Sequence, residues 1–254
     1  MPFNNTINPT LLNIGPFEIR FYGIVYALGF LTVYYVLNKK REELRITSEQ
    51  IDNLLVSMMV GMLIGARLVE VVFWEPSYYW NNPLQILMIW KGGLAFHGGF
   101  LGIVIAVYSF CKKHTIPVWK LADIMIIPAT FAMALGRIAN FINGELWGTI
   151  TNAPWCVYFK GVDGCRHPYQ LYAAAKRFLI FGMLLLLNNK EHKDGFIFWS
   201  FVVMSGIGRF FLDFLREDTR WYGLSMGQYW SFAMVIVGIY VLGSYYKKDI
   251  GLTK

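Results

Sequence analysis

Long apolar stretches separated by short polar connections dominate the pattern of this chain. A helix that crosses a bilayer needs about 20 apolar residues, with a tolerated range of ~17 to 25. Seven stretches of that length lie near 20–38, 51–74, 93–111, 120–142, 169–188, 195–215 and 227–246. The pattern predicts an all-α integral membrane protein with about seven transmembrane helices.

The composition points the same way. Of the 254 residues, 56% are hydrophobic and only 15% are charged, whereas soluble domains carry roughly 25% charged residues. No internal repeat, low-complexity tract or linker divides the chain. We therefore expect a single transmembrane domain over 1–254.

The basic residues predict an orientation. With the N-terminus outside, the inner connections hold 12 Lys and Arg residues and the outer connections hold six, while five more lie within the apolar stretches. Because inner loops carry the excess of Lys and Arg, we expect a periplasmic N-terminus and a cytoplasmic C-terminus. The connections 75–92 and 143–168 then face the periplasm. The first of these suits a short amphipathic helix at the membrane interface.

The net charge of +7 does not indicate a nucleic-acid partner. Most of the excess lies in short loops beside apolar stretches, where it favours contact with anionic lipid headgroups. The first ten residues lack a basic region, so we expect the first span to be retained rather than cleaved as a signal peptide. Cys156 and Cys165 share the long outer loop and can form a disulfide. Their surroundings predict neither a metal site nor a cofactor.

Polar side chains recur at the outer ends of four spans, which is the main indication of function. A charge in the hydrocarbon region costs ~2.5 kcal/mol or more, so such a coincidence needs a reason. Asn143 and Glu145 lie where the fourth helix gives way to a loop. The other groups at this level are Tyr22, His97, Arg137, Asn140, Arg209, Asp213 and Arg216, of which the last three are spaced i, i+4 and i+7 on one face of the sixth helix.

Some charged residues within the apolar stretches have a candidate partner on the same helix. Arg209 precedes Asp213 by four residues, and Arg67 precedes Glu70 by three, so both pairs are expected to be structural.

Arg137 and Arg216 lack an equally obvious counter-ion, although Glu145 and Asp218 can serve. Two guanidinium groups at the outer leaflet suit an anionic lipid phosphate, because each presents paired donors to phosphate oxygens. The sequence therefore predicts a phosphate-binding site there.

Glycines accompany two of the spans. Close helix packing through small residues is one interpretation. A second applies beside His97, where Gly98 and Gly99 leave room for a substrate. The spacing that suggests packing occurs in two pairs, Gly61 with Gly65 and Gly98 with Gly102.

Four motifs in order resemble the prolipoprotein diacylglyceryl transferase family of bacteria. They are HGGFLG at 97–102, GRIANFINGELWG at 136–148, RHPYQLY at 166–172 and LSMGQ at 224–228. The likeness covers essentially the whole chain, including YG at 22–23 and GRFFLDFLRE at 208–217.

The resemblance implies a multi-pass enzyme of the bacterial inner membrane with one catalytic domain. Such an enzyme moves the diacylglyceryl group of phosphatidylglycerol to the lipobox cysteine in the signal peptide of a preprolipoprotein. A thioether forms and glycerol phosphate leaves. The implied partners are these two substrates and the surrounding membrane lipids, with no cofactor.

The resemblance also implies roles for individual residues. We expect catalytic roles for His97, Arg137 and Arg216. We expect substrate-binding roles for Tyr22, Gly98, Gly99, Asn140, Asn143, Glu145 and Gly148. The chain departs from the family after QLY, where the family commonly has Glu and this sequence has Ala173. Any role that the family's acid has at this position is therefore not carried over to this chain.

The chemistry leaves one role open. The thiolate rather than the thiol is the nucleophile, and the unperturbed pKa of histidine near neutrality suits a proton acceptor. His97 either accepts the thiol proton or only positions the lipid. The alternative function is a transporter or flippase for an anionic lipid or solute, which would also place arginines along a cavity. A non-catalytic seven-span receptor is a further alternative.

The basic asymmetry generates a testable prediction of topology. A reporter that is active only in the cytoplasm, fused after Lys254, should be active, because the inner connections hold the excess of Lys and Arg. The same reporter inserted in the loop 143–168 serves as the inactive control. Activity of a periplasm-specific reporter at the C-terminus would overturn the orientation.

Overall fold

The computed structural model describes residues 2–14 and 17–251. The end of the chain at 252–254, to which the topology prediction refers, lies outside the described residues. The described part is mainly helical. Its α-helices are α1 Phe21–Lys39, α2 Arg41–Leu44, α3 Ser48–Val69, α4 Pro76–Asn81, α5 Phe96–His114, α6 Val118–Asn143, α7 Tyr169–Leu187, α8 Phe196–Leu212 and α9 Met226–Tyr245.

Six of the helical segments are long and apolar enough to cross a membrane. These are α1, α3 with its π-helical extension Glu70–Trp74, α6, α7, α8 with its 3-10 extension Asp213–Leu215, and α9. The chain is therefore a multi-pass integral membrane protein of the predicted helical class.

The third predicted span forms a helix, α5, but it is not among these six. Its 19 residues include His97 near the beginning and Lys112 and Lys113 in the last turn, and these lower its hydropathy. The count of seven spans and the orientation stay predictions.

Short strands, which the sequence did not predict, occur before α1 and in two of the connections. Each sheet has two strands, and no sheet in the described residues is closed. The pairs are β1 Phe3–Asn5 parallel with β4 Val157–Phe159, β2 Thr10–Ile14 antiparallel with β3 Phe17–Arg20, and β5 Arg220–Trp221 antiparallel with β6 Leu224–Ser225. The strands lie outside the six long apolar helices, so these spans remain helical.

The chain forms two compact units, one of residues 1–33 with 122–254 and one of residues 34–121. In the first unit, Ile180 and Leu184 of α7 pack with Phe196 and Ile197 of α8 and with Tyr246. The prediction of one domain over 1–254 stays a prediction.

Glycines hold α3 and α5 together in the second unit. A Cβ atom at Gly61 would lie 2.7 Å from the carbonyl oxygen of Gly102, and one at Gly65 would collide with the carbonyl of Gly98. Only helices without side chains at these points approach so closely. The predicted packing pairs are therefore confirmed.

Arg67 corrects one prediction. It forms no ion pair with Glu70 among the described residues, and its buried guanidinium instead donates to backbone carbonyls of the connection that follows. The acceptors are the carbonyl oxygens of Gln85, Ile86 at 2.9 Å, Met88 at 3.4 Å, Gly92 at 2.6 Å and Gly93 at 2.8 Å. A guanidinium has five donors, so it can satisfy carbonyls that irregular turns leave free.

A short helix was expected within 75–92, and its position at the membrane interface stays a prediction. The segment contains α4 and the 3-10 turns Pro83–Leu87 and Ile89–Lys91. The guanidinium of Arg67 also lies 4.8 Å from the ring centroid of Tyr79 in α4. Arg67 thus has the predicted structural role with different partners.

The glycine contact generates a stability prediction. Gly65→Ala should destabilise the purified protein by about 1–3 kcal/mol, because the added methyl group forces α3 and α5 apart. Gly182→Ala in α7 is the matched control, since a Cβ atom there meets nothing within 4 Å. That control should be neutral or stabilising by about 0.5–1 kcal/mol. Thermal unfolding in detergent measures both, and an unfolding temperature of Gly65→Ala at or above the control would contradict the prediction.

Candidate active site

Asn140 is the centre of a hydrogen-bonded network at the C-terminal end of α6. It is buried, and its amide donates to the hydroxyl of Tyr22 at 3.0 Å and to Oε1 of Glu145 at 2.7 Å. Its Oδ1 accepts from Nη1 of Arg137 at 3.4 Å. The side chain of Asn140 therefore joins three other predicted site residues, Tyr22, Arg137 and Glu145.

Glu145 turns back onto the end of α6. Its carboxylate also accepts from the amide of Asn143 at 3.3 Å, and its backbone N–H donates to the carbonyl of Asn140 at 3.1 Å. The reversal requires Gly144, whose φ of +69° lies in the left-handed region. The carbonyl of Glu145 accepts from Nε2 of Gln170 at 2.6 Å. The carboxylate of Glu145 therefore accepts hydrogen bonds from side-chain amides, and it is not the direct counter-ion of Arg137.

Arg216 lies beyond the helix on which the sequence placed it. The helix α8 ends at Leu212, and Arg216 has an extended backbone with φ −92° and ψ 139°. It forms an antiparallel bridge with Gly148. The predicted common helical face of Arg209, Asp213 and Arg216 is therefore wrong for Arg216. The 3-10 turn at 213–215 rotates it out of the helical register.

The Arg216 side chain has both satisfied and free donors. Its Nη1 lies 3.6 Å from Oδ2 of Asp218, which is the partner the sequence suggested. Its guanidinium carbon lies 5.9 Å from the ring centroid of Tyr169. Its Nε is buried without a hydrogen-bond partner in the described structure. A buried donor of this kind is expensive unless a ligand or water accepts from it.

Gly148 joins three segments around this site. Its N–H donates to the carbonyl of His167 at 3.0 Å. A Cβ atom at this position would lie 2.7 Å from both the carbonyl of His167 and that of Leu215. A larger residue would therefore push the backbone of Arg216 away from its bridge.

Tyr169 is a site residue that sequence reasoning did not single out. Its hydroxyl donates to the fully buried carboxylate of Asp213, which also accepts from Nε of Arg209 at 3.2 Å. The predicted pair of Arg209 with Asp213 is confirmed. Tyr169 lies within the RHPYQLY motif, so its position there was the available signal.

The loop 143–168 is held by a disulfide and a buried arginine. Cys156 and Cys165 are bonded, with Cα atoms 5.5 Å apart, as the sequence allowed. Arg166 donates from Nη1 to the carbonyl of Gly148 at 3.2 Å and to Glu217 at 3.2 Å. Sequence reasoning also missed Arg166. It links the loop 143–168 to the segment that carries Arg216.

His97 belongs to the unit of residues 34–121, where it is the exposed second residue of α5. Gly98 packs against Gly65 and Val69, and Gly99 lies near Met62. The missing side chains of these glycines thus serve the contact of α5 with α3. A substrate contact for them, and a joint action of His97 with Arg137, stay predictions.

The charges of the first unit favour an anion. Arg137 forms no ion pair with a carboxylate among residues 2–14 and 17–251, and Arg209 and Arg216 lie close enough to repel it electrostatically. Guanidinium groups held together in an apolar surrounding are stabilised by a ligand that accepts their hydrogen bonds. A phosphate group has the matching charge and acceptor geometry.

Comparison with known proteins agrees with this chemistry. A family model described as prolipoprotein diacylglyceryl transferase matches residues 9–243. Three relatives named phosphatidylglycerol–prolipoprotein diacylglyceryl transferase are similar over nearly their full length. The protein of Geobacter sulfurreducens is 37% identical over 242 residues, covering 92% of this chain and 93% of the relative. That of Wolbachia pipientis subsp. Culex pipiens is 35% identical, covering 93% and 94%. That of Nitrosomonas europaea is 37% identical, covering 95% and 91%.

Proposed function

Since this chain belongs to the prolipoprotein diacylglyceryl transferase family, we propose that the site around Asn140 binds phosphatidylglycerol for transfer of its diacylglyceryl group. The protein is a membrane-embedded transferase of lipoprotein maturation. Its substrates are phosphatidylglycerol and a prolipoprotein. The acceptor within the prolipoprotein is the lipobox cysteine of the signal peptide, and the membrane is the bacterial inner membrane.

The reaction exchanges one bond for another at a glycerol carbon. The cysteine thiolate attacks the carbon of the diacylglyceryl group that is bonded to the phosphate oxygen. The carbon–sulfur bond forms, the carbon–oxygen bond breaks, and the electron pair stays on the phosphate. The products are a thioether and glycerol phosphate, and the thiol proton passes to a base. The step needs a thiolate and a stabilised leaving group.

The observation that carries this assignment is the set of guanidinium groups without full partners. Within the described residues Arg137 donates only to Oδ1 of Asn140, and Nε of Arg216 has no acceptor. These donors are available to phosphate oxygens, on which negative charge grows as the carbon–oxygen bond breaks. Arg137 and Arg216 therefore act on the leaving group.

The neighbouring residues position these arginines. Asn140 fixes Arg137, and Tyr22 and Glu145 fix Asn140. Asn143 shares the carboxylate of Glu145. Gly148 fixes the backbone of Arg216 through the bridge between them. Each side chain is thus held by another before substrate binds, which lowers the reorganisation required during reaction.

His97 is the proposed acceptor of the thiol proton. It is exposed at the beginning of α5, so it is accessible to a substrate. The unperturbed pKa of histidine near neutrality allows it to take a proton and release it at physiological pH. Gly98 and Gly99 follow it directly, and their role toward substrate rests on the same proposal.

The arginine assignment predicts the behaviour of variants in a transfer assay. Purified protein is incubated with phosphatidylglycerol and a lipobox peptide, and mass spectrometry records the diacylglyceryl mass on the peptide cysteine. Arg137→Ala and Arg216→Ala should each lower the rate by at least ~10²-fold, the usual loss for one oxyanion-stabilising donor. Lys at either position should restore it only in part, because an ammonium is not a two-pronged donor.

Arg220→Ala is the control for these variants, since Arg220 is exposed on the short strand β5. It should transfer at the wild-type rate. Full activity of Arg137→Ala at wild-type expression would remove Arg137 from the site. Absence of transfer by the wild-type protein under any lipid composition would overturn the proposed function.

The base assignment predicts a separate kinetic signature. His97→Gln should keep the fold and lipid binding yet lower the maximal rate by about 10² to 10⁴, the usual contribution of a general base. If His97 only positions the headgroup, the loss appears mainly as weaker lipid binding. His114→Gln at the other end of α5 is the control. A near-wild-type rate at saturating lipid with an unchanged pH profile between 5 and 8 would exclude the base role.

A further inference from the structure

Two cations in the middle of α7 have no role in the proposed chemistry. Lys176 and Arg177 lie seven and eight residues after Tyr169, within a helix long and apolar enough to cross a membrane. At 1.5 Å per residue they are about 10–12 Å along the helix from that tyrosine. A charge at this depth costs ~2.5 kcal/mol or more unless it is satisfied within the protein.

Both side chains are directed into the protein rather than left in lipid. Arg177 is half-buried, and its Nη1 donates to the carbonyl of Ala173 at 3.3 Å, one turn nearer the outer end. The stem of Lys176 fills the space beside Gly208 of α8, where a Cβ atom would lie 2.5 Å from its Cδ. Gly208 therefore provides room for Lys176 between the two helices.

These residues continue the charged site described above. Lys176 packs against Gly208, the neighbour of Arg209, and the ring of Phe178, the neighbour of Arg177, lies 6.0 Å from that of Phe131 in α6. Both cations are therefore close enough to Arg137, Arg209 and Asp213 to interact with them electrostatically. We call Arg137, Lys176 and Arg177 the inner cation cluster. It belongs entirely to the unit of residues 1–33 and 122–254.

The carboxylates near the inner cation cluster are already used. Asp213 is held by Arg209 and Tyr169, Asp218 lies against Arg216, and Glu217 pairs with Arg166. In the described residues, no member of the cluster forms an ion pair with a carboxylate. Glu145 is the one further acid of the site, and it accepts from amides. The cluster therefore keeps an excess of positive charge.

We infer that Lys176 and Arg177 are lipid-binding residues that extend the phosphate site inward from Arg137 and give it its preference for an anionic headgroup. This inference rests on the proposed function and deepens it. The ligand is the phosphate of phosphatidylglycerol, which supplies the negative charge and the acceptors that the cluster lacks. A zwitterionic headgroup places an ammonium beside the same cations and is disfavoured by repulsion.

Lipid binding tests this directly and does not depend on transfer. Full-length protein in detergent is mixed with equal amounts of phosphatidylglycerol and phosphatidylcholine, and native mass spectrometry records the lipid that stays bound. Arg177→Gln and Lys176→Gln should each weaken phosphatidylglycerol binding by about tenfold, the scale of one hydrogen bond to a charged group. Binding of phosphatidylcholine should not change. Arg177→Lys, which keeps the charge, should lose less than threefold.

Lys190→Gln is the matched control, because Lys190 follows α7 at its other end and is exposed. It should bind phosphatidylglycerol like the wild-type protein. Unfolding temperatures verify that each variant is folded. Phosphatidylglycerol affinity within twofold of wild type for folded Arg177→Gln and Lys176→Gln would overturn the inference. The inference would also fail if the variants lost affinity for free glycerol phosphate but kept their affinity for phosphatidylglycerol.

Kinetics separate this inference from the proposed function. In the transfer assay the two Gln variants should raise KM for phosphatidylglycerol by about tenfold with a much smaller change in kcat, as expected for binding shared by the ground and transition states. If the wild-type protein transfers nothing but the variants still lose phosphatidylglycerol, the proposed function fails and the inference stands. If the wild-type protein transfers normally and the variants bind lipid as the wild type does, the proposed function stands and the inference fails.

Discussion

The structure depends on one constraint, which is that a buried polar group such as the amide of Asn140 needs hydrogen-bond partners. A bilayer interior supplies no hydrogen-bond partners, so each polar group at membrane depth must be satisfied by the protein or by a ligand. Asn140 meets this condition through Tyr22, Arg137 and Glu145, which come from α1, α6 and the turn after α6. Its requirement therefore determines the geometry around the candidate site.

The same constraint explains the buried charges on either side of that network. Arg67 satisfies its donors with carbonyls of the irregular segment 83–93, and Arg166 does so with the outer loop and Glu217. Arg67 has all five donors engaged in this way, and Arg166 has its Nε and Nη1 atoms engaged. Arg137 and the Nε atom of Arg216 differ, since the described protein leaves them only partly satisfied. The distinction between structural and functional arginines thus comes from their partners and not from their depth.

Unsatisfied charge also connects the proposed chemistry with lipid selection. Departure of glycerol phosphate from a phosphodiester increases the negative charge of the phosphate group, which favours cations held in place beforehand. Lys176 and Arg177 lie deeper than Tyr169 on α7 and enlarge this positive region. In the proposed mechanism Arg137 and Arg216 act on the leaving group, while Lys176 and Arg177 select the anionic lipid.

The sequence by itself determined the membrane class and most helix positions. Hydrophobic stretches of bilayer length predict helices whatever their neighbours are, because length and apolarity are local properties. The pair Arg209 with Asp213 and the packing of Gly61 and Gly65 were predicted for the same reason, since their spacing places them on one helical face.

Only the tertiary structure decided which partner each polar residue has. The 3-10 turn at 213–215 removed Arg216 from the helical face that its spacing suggested, and the bridge to Gly148 fixed it elsewhere. Arg67 donates to backbone carbonyls 19 and 25 residues away and not to the nearby carboxylate of Glu70. Tyr169 carries no charge that would have marked it in the sequence, yet it contacts both Asp213 and Arg216. Helical periodicity describes residues within one helix, whereas hydrogen-bond partners across turns and between helices depend on how the chain packs.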